Sequence, residues 1–276
     1  MDAERPLTEH ARRAASAYGA AADHYSLAAL GFWDRFGAAT VSRLPLTAGH
    51  AILDLCCGAG ASAIPAARVV GPEGRVLGID VAVPLLEIAR ARAAAEDLAN
   101  IEFRYGDATR TGLPDGSFDA VICVFGVFFA PDMARFVAEM WRLVRPGAVL
   151  AITTWGPGLF EPANTAFWES VRDVEPSLFK AFNPWDEITT EAAMVDLLAR
   201  GGVKHAAVTA VPGWHHFDHP DRFWDIVLGS GYRATIEALS QEQRDVVRKR
   251  VLSELQADGV TAVRTDVVFS AAQRPK

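Results

Sequence analysis

Residues 52–60 read Ile52-Leu53-Asp54-Leu55-Cys56-Cys57-Gly58-Ala59-Gly60, an apolar run that meets an acid and then a glycine turn. Twenty residues beyond Gly60, a second apolar run, Val76-Leu77-Gly78-Ile79-Asp80, again closes on an acid. Gly58 and Gly60 carry no side chain where the backbone must turn tightly and come close to a ligand. The helix that follows points its free N–H groups and the positive end of its dipole at the same spot. An acid about twenty residues on, at the tip of the next strand, is placed to hold a pair of ribose hydroxyls. The pattern predicts a bound nucleoside.

Asp54 helps to decide which one. A dinucleotide brings a pyrophosphate, and a carboxylate just ahead of the glycine loop repels it. S-adenosylmethionine has no phosphate and carries a cationic amino-acid end, so an acid nearby is favourable. Asp54 lies four residues before Gly58, facing the ligand or capping the loop from below.

The chain alternates between strand and helix signals. Strands are predicted at 51–57, 75–81, 101–105, 119–125, 148–155, 203–211 and 262–270. Helices are predicted at 61–70, 84–97 and 132–144. In 84–97 a proline opens the first turn, and Leu85, Leu86, Ile88 and Ala89 recur at helical spacing. Asp132 is a candidate N-cap, and Pro146-Gly147 is expected to close that helix. Asp115-Gly116-Ser117 marks a turn before the fourth strand. Such alternation predicts an α/β fold with a doubly wound parallel sheet, its ligand beyond the carboxyl ends of the strands.

Taken together, residues 52–60, 78–80, 105–108, 113–119 and 143–147 resemble the motifs of class I S-adenosylmethionine-dependent methyltransferases. Within that class the resemblance is to the group that includes the ubiquinone- and menaquinone-biosynthesis C-methyltransferases. It covers roughly residues 45–155. It implies a seven-stranded, mostly parallel sheet whose last strand, here 262–270, runs antiparallel. It also implies S-adenosylmethionine as cofactor, an N-terminal helical lid at 1–44, a cofactor-binding core at 45–155, and the remainder at 156–276 with cap insertions at 156–202 and 212–260.

Carried onto this sequence, the resemblance assigns roles. Asp54, Cys56, Gly58 and Gly60 form the loop beneath the cofactor. Asp80 accepts hydrogen bonds from both ribose hydroxyls, a charge-assisted contact. Val81 packs on the adenine, Asp107 accepts its exocyclic amine, and the Ala108 N–H meets a ring nitrogen. Phe125 stands beside the methionine part, where an aromatic face contributes about 0.5–2 kcal/mol of cation–π attraction. Tyr18 and Tyr25 are seven residues apart, two helical turns, and so share one face of a lid helix. Asp119, at the opposite end of the fourth strand, reads as structural.

Beyond residue 155 the chain becomes aromatic: five of its seven tryptophans lie between Trp155 and Trp224. This favours an apolar or aromatic acceptor, held largely by apolar burial. Phe128, Phe129, Trp155, Trp185, Trp214 and Tyr232 are the candidates to line its pocket, with a small structural core as the competing role. His215 and His216 are candidate general bases. Adjacent histidines on a strand point to opposite faces, which disfavours a shared metal, and no metal is expected.

Composition narrows the class. Half of the 276 residues are hydrophobic, enough for a sizeable core, and the formal net charge is −7. The basic run at 244–250 includes Asp245 and reads as a solvated helix face, so nucleic acid is not expected as substrate. No apolar run is long enough to span a bilayer, and residues 1–13 carry no apolar stretch of the secretory kind. Three cysteines, two of them adjacent, make no disulfide framework, and a reducing cytoplasm is the expected setting. The expected function is methyl transfer to a small molecule, with S-adenosylhomocysteine as product. The alternatives are a protein that binds S-adenosylmethionine without methyl transfer, and a nicotinamide-dependent oxidoreductase.

Overall fold

In the computed structural model, which describes residues 7–276, the first helix starts at a threonine. The Thr8 hydroxyl accepts the Ala11 N–H at 3.2 Å and so caps α1 (Glu9–Ala21). The start of the expected 1–44 lid, residues 1–6, lies outside the described residues. α1 stops at Ala21, and Tyr25 sits in a run of turns after it, its N–H bonded to the Ala22 carbonyl. Tyr18 and Tyr25 therefore do not share a helix face, contrary to the spacing argument.

α2 (Phe32–Val41) leads into β1 (Ala51–Leu55), whose five residues are all buried. A strand covered on both faces needs no polar alternation, which is why this stretch is nearly continuous in its apolar character. There follow α3 (Ala63–Val70), β2 (Arg75–Asp80), α4 (Val83–Ala95), β3 (Ile101–Tyr105), β4 (Phe118–Val124), α5 (Met133–Leu143) and β5 (Val144–Trp155). The last third adds α6 (Ala163–Val174), α7 (Glu191–Arg200), β6 (Ala207–Val211), β7 (Trp214–His216), α8 (Arg222–Leu228), α9 (Arg233–Ala238), α10 (Gln241–Ala257), β8 (Ala262–Arg264) and β9 (Val267–Gln273).

Seven strands form one sheet in the order β3-β2-β1-β4-β5-β9-β6. β9 runs antiparallel to both neighbours, and the first five strands are parallel. Side chains alternate between two apolar layers: Leu53, Leu55, Val121 and Cys123 face one, Ile52, Ala120 and Ile122 the other. Strand order reverses between β1 and β4, where helices leave to opposite faces and a crevice opens.

Three boundaries differ from the sequence reading. The predicted 262–270 strand is two strands. Thr265 and Asp266 break it, with the Thr265 N–H bonded to the Gly213 carbonyl and the Asp266 carboxylate accepting the Gly213 N–H at 2.9 Å. The first piece, β8, pairs with β7 in a separate two-stranded ribbon. Residues 203–206 do not extend β6, because the Val203 N–H is used to close α7 on the Leu198 carbonyl. Asp132 caps α5 as expected, accepting the Arg135 N–H at 2.9 Å. The helix, however, ends at Leu143 and passes straight into β5, so Pro146-Gly147 lies inside the strand.

Candidate functional site

The turn after β1 is held open by backbone geometry. Cys56 has φ 60°, Gly58 φ 50° and Gly60 φ 84°, all in the left-handed region. Across the crevice, Phe125 at the end of β4 also has φ 55°. Two non-glycine residues in that region, facing one another at the strand tips, are the kind of local strain that collects at working sites. The loop is tied to the next strand: the Gly58 N–H donates to Asp80 Oδ2 at 2.8 Å, and the Ala82 N–H donates to Asp80 Oδ1 at 2.8 Å. Asp80 thus fixes both its own turn and the glycine loop. Burial pushes its carboxyl above the usual range.

Above this loop lies a cleft. Cys56, Gly58, Asp80, Val81, Asp107, Ala108 and Phe125 line it, together with Tyr18 and Tyr25 from the segment that closes over it. A Cβ at Gly58 would stand 3.4 Å from the Tyr25 hydroxyl, so this glycine is where the loop meets the lid. Among its described lining residues the only charged ones are Asp80 and Asp107.

Two loop residues lie off the cleft's lining. A Cβ on Gly60 would sit 3.0 Å from Ile64 and 3.3 Å from Phe103, and its φ of 84° favours glycine whatever the space. Asp54 is fully buried below the loop, where Ser62 Oγ donates to its Oδ2 at 2.7 Å. Its other oxygen is buried with no hydrogen-bond partner. Desolvation raises its pKa to about 7. Folded Asp54 therefore holds a proton that the unfolded chain releases between pH 4 and 7, and stability contributed by this group falls as pH rises through that window. Asp54→Asn, neutral throughout, is expected to melt like the parent near pH 4 and increasingly above it as pH rises to 8. A parent-minus-variant difference in melting temperature that stays flat across this range contradicts the assignment.

Asp107 is more committed than the sequence suggested. Its Oδ1 accepts the N–H and hydroxyl of Thr109 at 2.9 and 2.6 Å, and its Oδ2 accepts the Thr8 hydroxyl at 2.9 Å. The carboxylate therefore stabilises its own turn and latches the start of α1 while it lines the cleft. These donors hold its pKa below the usual range against the opposing effect of burial.

A second, larger cavity adjoins the first. The two share Ala14, Tyr18, Trp33 and Phe129 as a common wall. Phe128, Phe129, Trp155, Trp185 and Tyr232 all line it, as the aromatic bias after residue 155 suggested. Trp155 stacks on Phe125 at 3.9 Å between centroids, 15° between planes, and joins the two chambers through one ring pair. The Tyr232 hydroxyl donates to Asn164 Oδ1 at 2.6 Å.

Three candidates fall elsewhere. Trp214 is 50% exposed on the β7–β8 ribbon and lines neither cavity. Its carbonyl accepts from Arg35 at 3.1 Å. His215 packs its edge on Phe32 at 5.2 Å, and burial, then Arg35, hold its pKa below the ordinary range. His216 is exposed beside Ala28. Because the ribbon lies on the Phe32 and Arg35 side of α2, neither histidine reaches either cavity, and neither is placed to act as a base there. Sequence reasoning missed Trp33, which stacks parallel to Tyr25 at 5.8 Å and separates the chambers. It lies outside every motif, and only its place at the start of an apolar helix, Phe32-Trp33-Asp34-Arg35-Phe36, could have drawn notice. No group of three or more His, Cys, Asp or Glu suited to a metal occurs among the described residues.

Residues 52–147 match the family model of a methyltransferase domain. A demethylmenaquinone methyltransferase of Lactococcus lactis subsp. lactis is 37% identical over 150 residues, covering 54% of this chain and 59% of that protein. Nocamycin O-methyltransferase of Saccharothrix syringae is 32% identical over 186 residues, 67% of this chain and 59% of that protein. This chain thus spans about half to three-fifths of the length of the curated relatives it matches. The solved phosphoethanolamine N-methyltransferase 2 of Haemonchus contortus, in complex with phosphomonomethylethanolamine and S-adenosylhomocysteine, is similar in fold at a TM-score of 0.60. That likeness covers 98% of this chain and 61% of the other at 17% identity.

Proposed function

Because the core of this chain is a class I, S-adenosylmethionine-dependent methyltransferase domain, we propose that the smaller cleft binds S-adenosylmethionine and that its methyl group passes to a small apolar or aromatic molecule in the larger cavity. The observation that carries this reading is the pairing of an acid-only cleft with an aromatic chamber across one shared wall. The cleft suits a cation. Among its described lining residues there is no Lys, Arg or His to meet a pyrophosphate, which disfavours a nicotinamide dinucleotide. Asp54, buried beneath the loop and outside the cleft's lining, supports the loop from below through Ser62.

When bound, S-adenosylmethionine supplies a methyl carbon activated by a cationic sulfur. The residues of this chain supply position. Asp80 keeps lone pairs beyond those used by the two backbone N–H groups, and these are available to ribose hydroxyls. Val81, Leu85 and Ala108 give apolar walls for a purine. Tyr18, Trp33 and Phe129 set the approach of the acceptor from the other side. Burial raises the phenols of Tyr18 and Tyr232 well above their ordinary range, so both keep their protons and neither is a strong base. Holding the acceptor in line is then the main source of rate. The larger chamber is mostly apolar and aromatic in its lining, and the net charge of −7 supports a small molecule over nucleic acid. No helix among the described residues is long and apolar enough to cross a membrane. The three free cysteines support a reducing cytoplasmic setting.

Asp80→Ala is expected to weaken S-adenosylmethionine by about 1.5–3 kcal/mol, since it removes charged hydrogen bonds and frees the glycine loop. Unchanged affinity in a variant with parental circular dichroism rejects the ribose role. Transfer itself is tested by incubating methyl-labelled S-adenosylmethionine with a panel of lipophilic aromatic acceptors. Label appearing in an acceptor supports the reading. Tight cofactor binding with no transfer to any acceptor favours a binding protein without methyl transfer.

A further inference from the structure

The lining of the larger cavity is one-sided in charge and in hydrogen bonding. The chain has 34 acids against 27 lysines and arginines, yet no Asp or Glu lines this chamber among the described residues. Its charged or chargeable basic members are His10, Arg13 and Lys180 at the rim. Arg13 is paired with Glu9. Lys180 has no ion pair within the described residues and stands 5.8 Å over the Trp168 ring. Glu161 and Asp186 lie within electrostatic reach of Tyr232, but both are occupied: Glu161 by Asn164 and Thr165, Asp186 by the Asn183 N–H.

A second observation is independent of charge. Trp33 Nε1, Trp168 Nε1 and Ser230 Oγ are buried without any hydrogen-bond partner, and all three residues line this cavity. They are 7%, 7% and 4% exposed. An indole N–H can only donate, and a buried donor left unpaired is costly, so such groups in a cavity wall call for an acceptor. Rings run between them: Trp33 to Trp155 at 5.5 Å, Trp155 to Phe160 at 5.8 Å, Phe160 to Tyr232 at 6.0 Å and Tyr232 to Trp168 at 5.9 Å. Trp168, with Lys180 above it, therefore marks the end remote from the smaller cleft, and Trp33 the end beside it.

We propose that the larger cavity takes a conjugated or aromatic acceptor bearing an anionic oxygen (a carboxylate, phenolate or enolate) that receives the Trp168 donor and the charge of Lys180. The inference rests on the methyltransferase reading and deepens it by naming the substrate class. The rings between Trp33 and Trp168 stack on the conjugated body, and the oxygen at the far end sets which atom is presented at the Trp33 end.

The test compares two probes of matched shape, 2-naphthoate and 2-naphthalenemethanol, by quenching of tryptophan fluorescence in the full chain saturated with S-adenosylhomocysteine. The carboxylate is expected to bind at least about tenfold tighter than the alcohol, or roughly 1.4 kcal/mol. Lys180→Met is expected to narrow that gap to within about threefold, and Lys180→Arg to preserve most of it. Trp168→Phe keeps a ring and removes the N–H, and should weaken the carboxylate while sparing the alcohol. Equal affinities in the parent, failure of both probes to bind, or a gap that persists in both Lys180→Met and Trp168→Phe overturns the proposal. Calorimetry with S-adenosylhomocysteine on the same preparations separates the two levels. Cofactor bound without carboxylate preference sinks this inference alone, whereas no cofactor binding sinks the methyltransferase reading.

Discussion

Gly58→Val is expected to lower S-adenosylhomocysteine affinity at least about a hundredfold, or roughly 2.7 kcal/mol. Gly58 holds φ 50°, which a β-branched residue adopts only at a cost of about 1–2 kcal/mol. Its added carbon would point at the Tyr25 hydroxyl, 3.4 Å away, and the branch would extend into the cleft between loop and lid. Relief of that crowding moves the Gly58 N–H off Asp80 and disturbs the carboxylate proposed to hold the ribose. A control isolates the strain. Gly49 has φ 83°, and nothing lies within 4 Å of where its Cβ would stand, so Gly49→Val carries backbone strain without obstruction. Both variants should lose some thermal stability, and only Gly58→Val should lose the ligand. Parental affinity in Gly58→Val means that the loop does not contact the cofactor.

Trp155→Ala is expected to cost about 3–5 kcal/mol of stability, the range for removing a large buried ring. Trp155 is 3% exposed and stacked on Phe125, with Phe32, Trp33, Phe36 and Phe160 around it. It also lines the acceptor chamber, so the choice posed by the sequence, pocket wall or small structural core, is not exclusive here. Trp185 offers the contrast. It is only half-buried, with one edge contact to Phe128 at 5.5 Å. Trp185→Ala should change acceptor turnover while moving the melting temperature far less than Trp155→Ala. Chemical denaturation and turnover per folded molecule, measured on both variants, check the pair. A small stability loss for Trp155→Ala contradicts its placement in the core.

Much of the core was legible because its signals are local. The run from Ile52 to Leu55 is apolar because β1 is covered on both faces, and Asp80 ends β2 because its carboxylate ties the turn that follows. The glycine pattern is legible as a turn in the left-handed region, φ 50° at Gly58 and 84° at Gly60, but spacing does not announce that Ile64 and Phe103 crowd Gly60 while Tyr25 faces Gly58. Seven-residue spacing put Tyr18 and Tyr25 on one helix face. The chain instead leaves the helix at Ala21, yet tertiary packing still brings both rings to the cleft. Residues 214–216 and 262–264 were misread because their pairing depends on a long-range ribbon that neither segment announces. That ribbon carries Trp214, His215 and His216 away from the chambers. The donors Trp33, Trp168 and Ser230 belong to no motif and become a set only when the fold brings them to one cavity.

An acid-lined cleft over a glycine loop should hold a phosphate-free, cationic nucleoside. Isothermal titration of the full chain with S-adenosylmethionine, and then with NADH under the same conditions, decides this. Saturable binding of S-adenosylmethionine at one site per chain is expected, with no measurable heat from NADH. Binding of NADH, or no binding of S-adenosylmethionine to a folded protein, overturns the assignment.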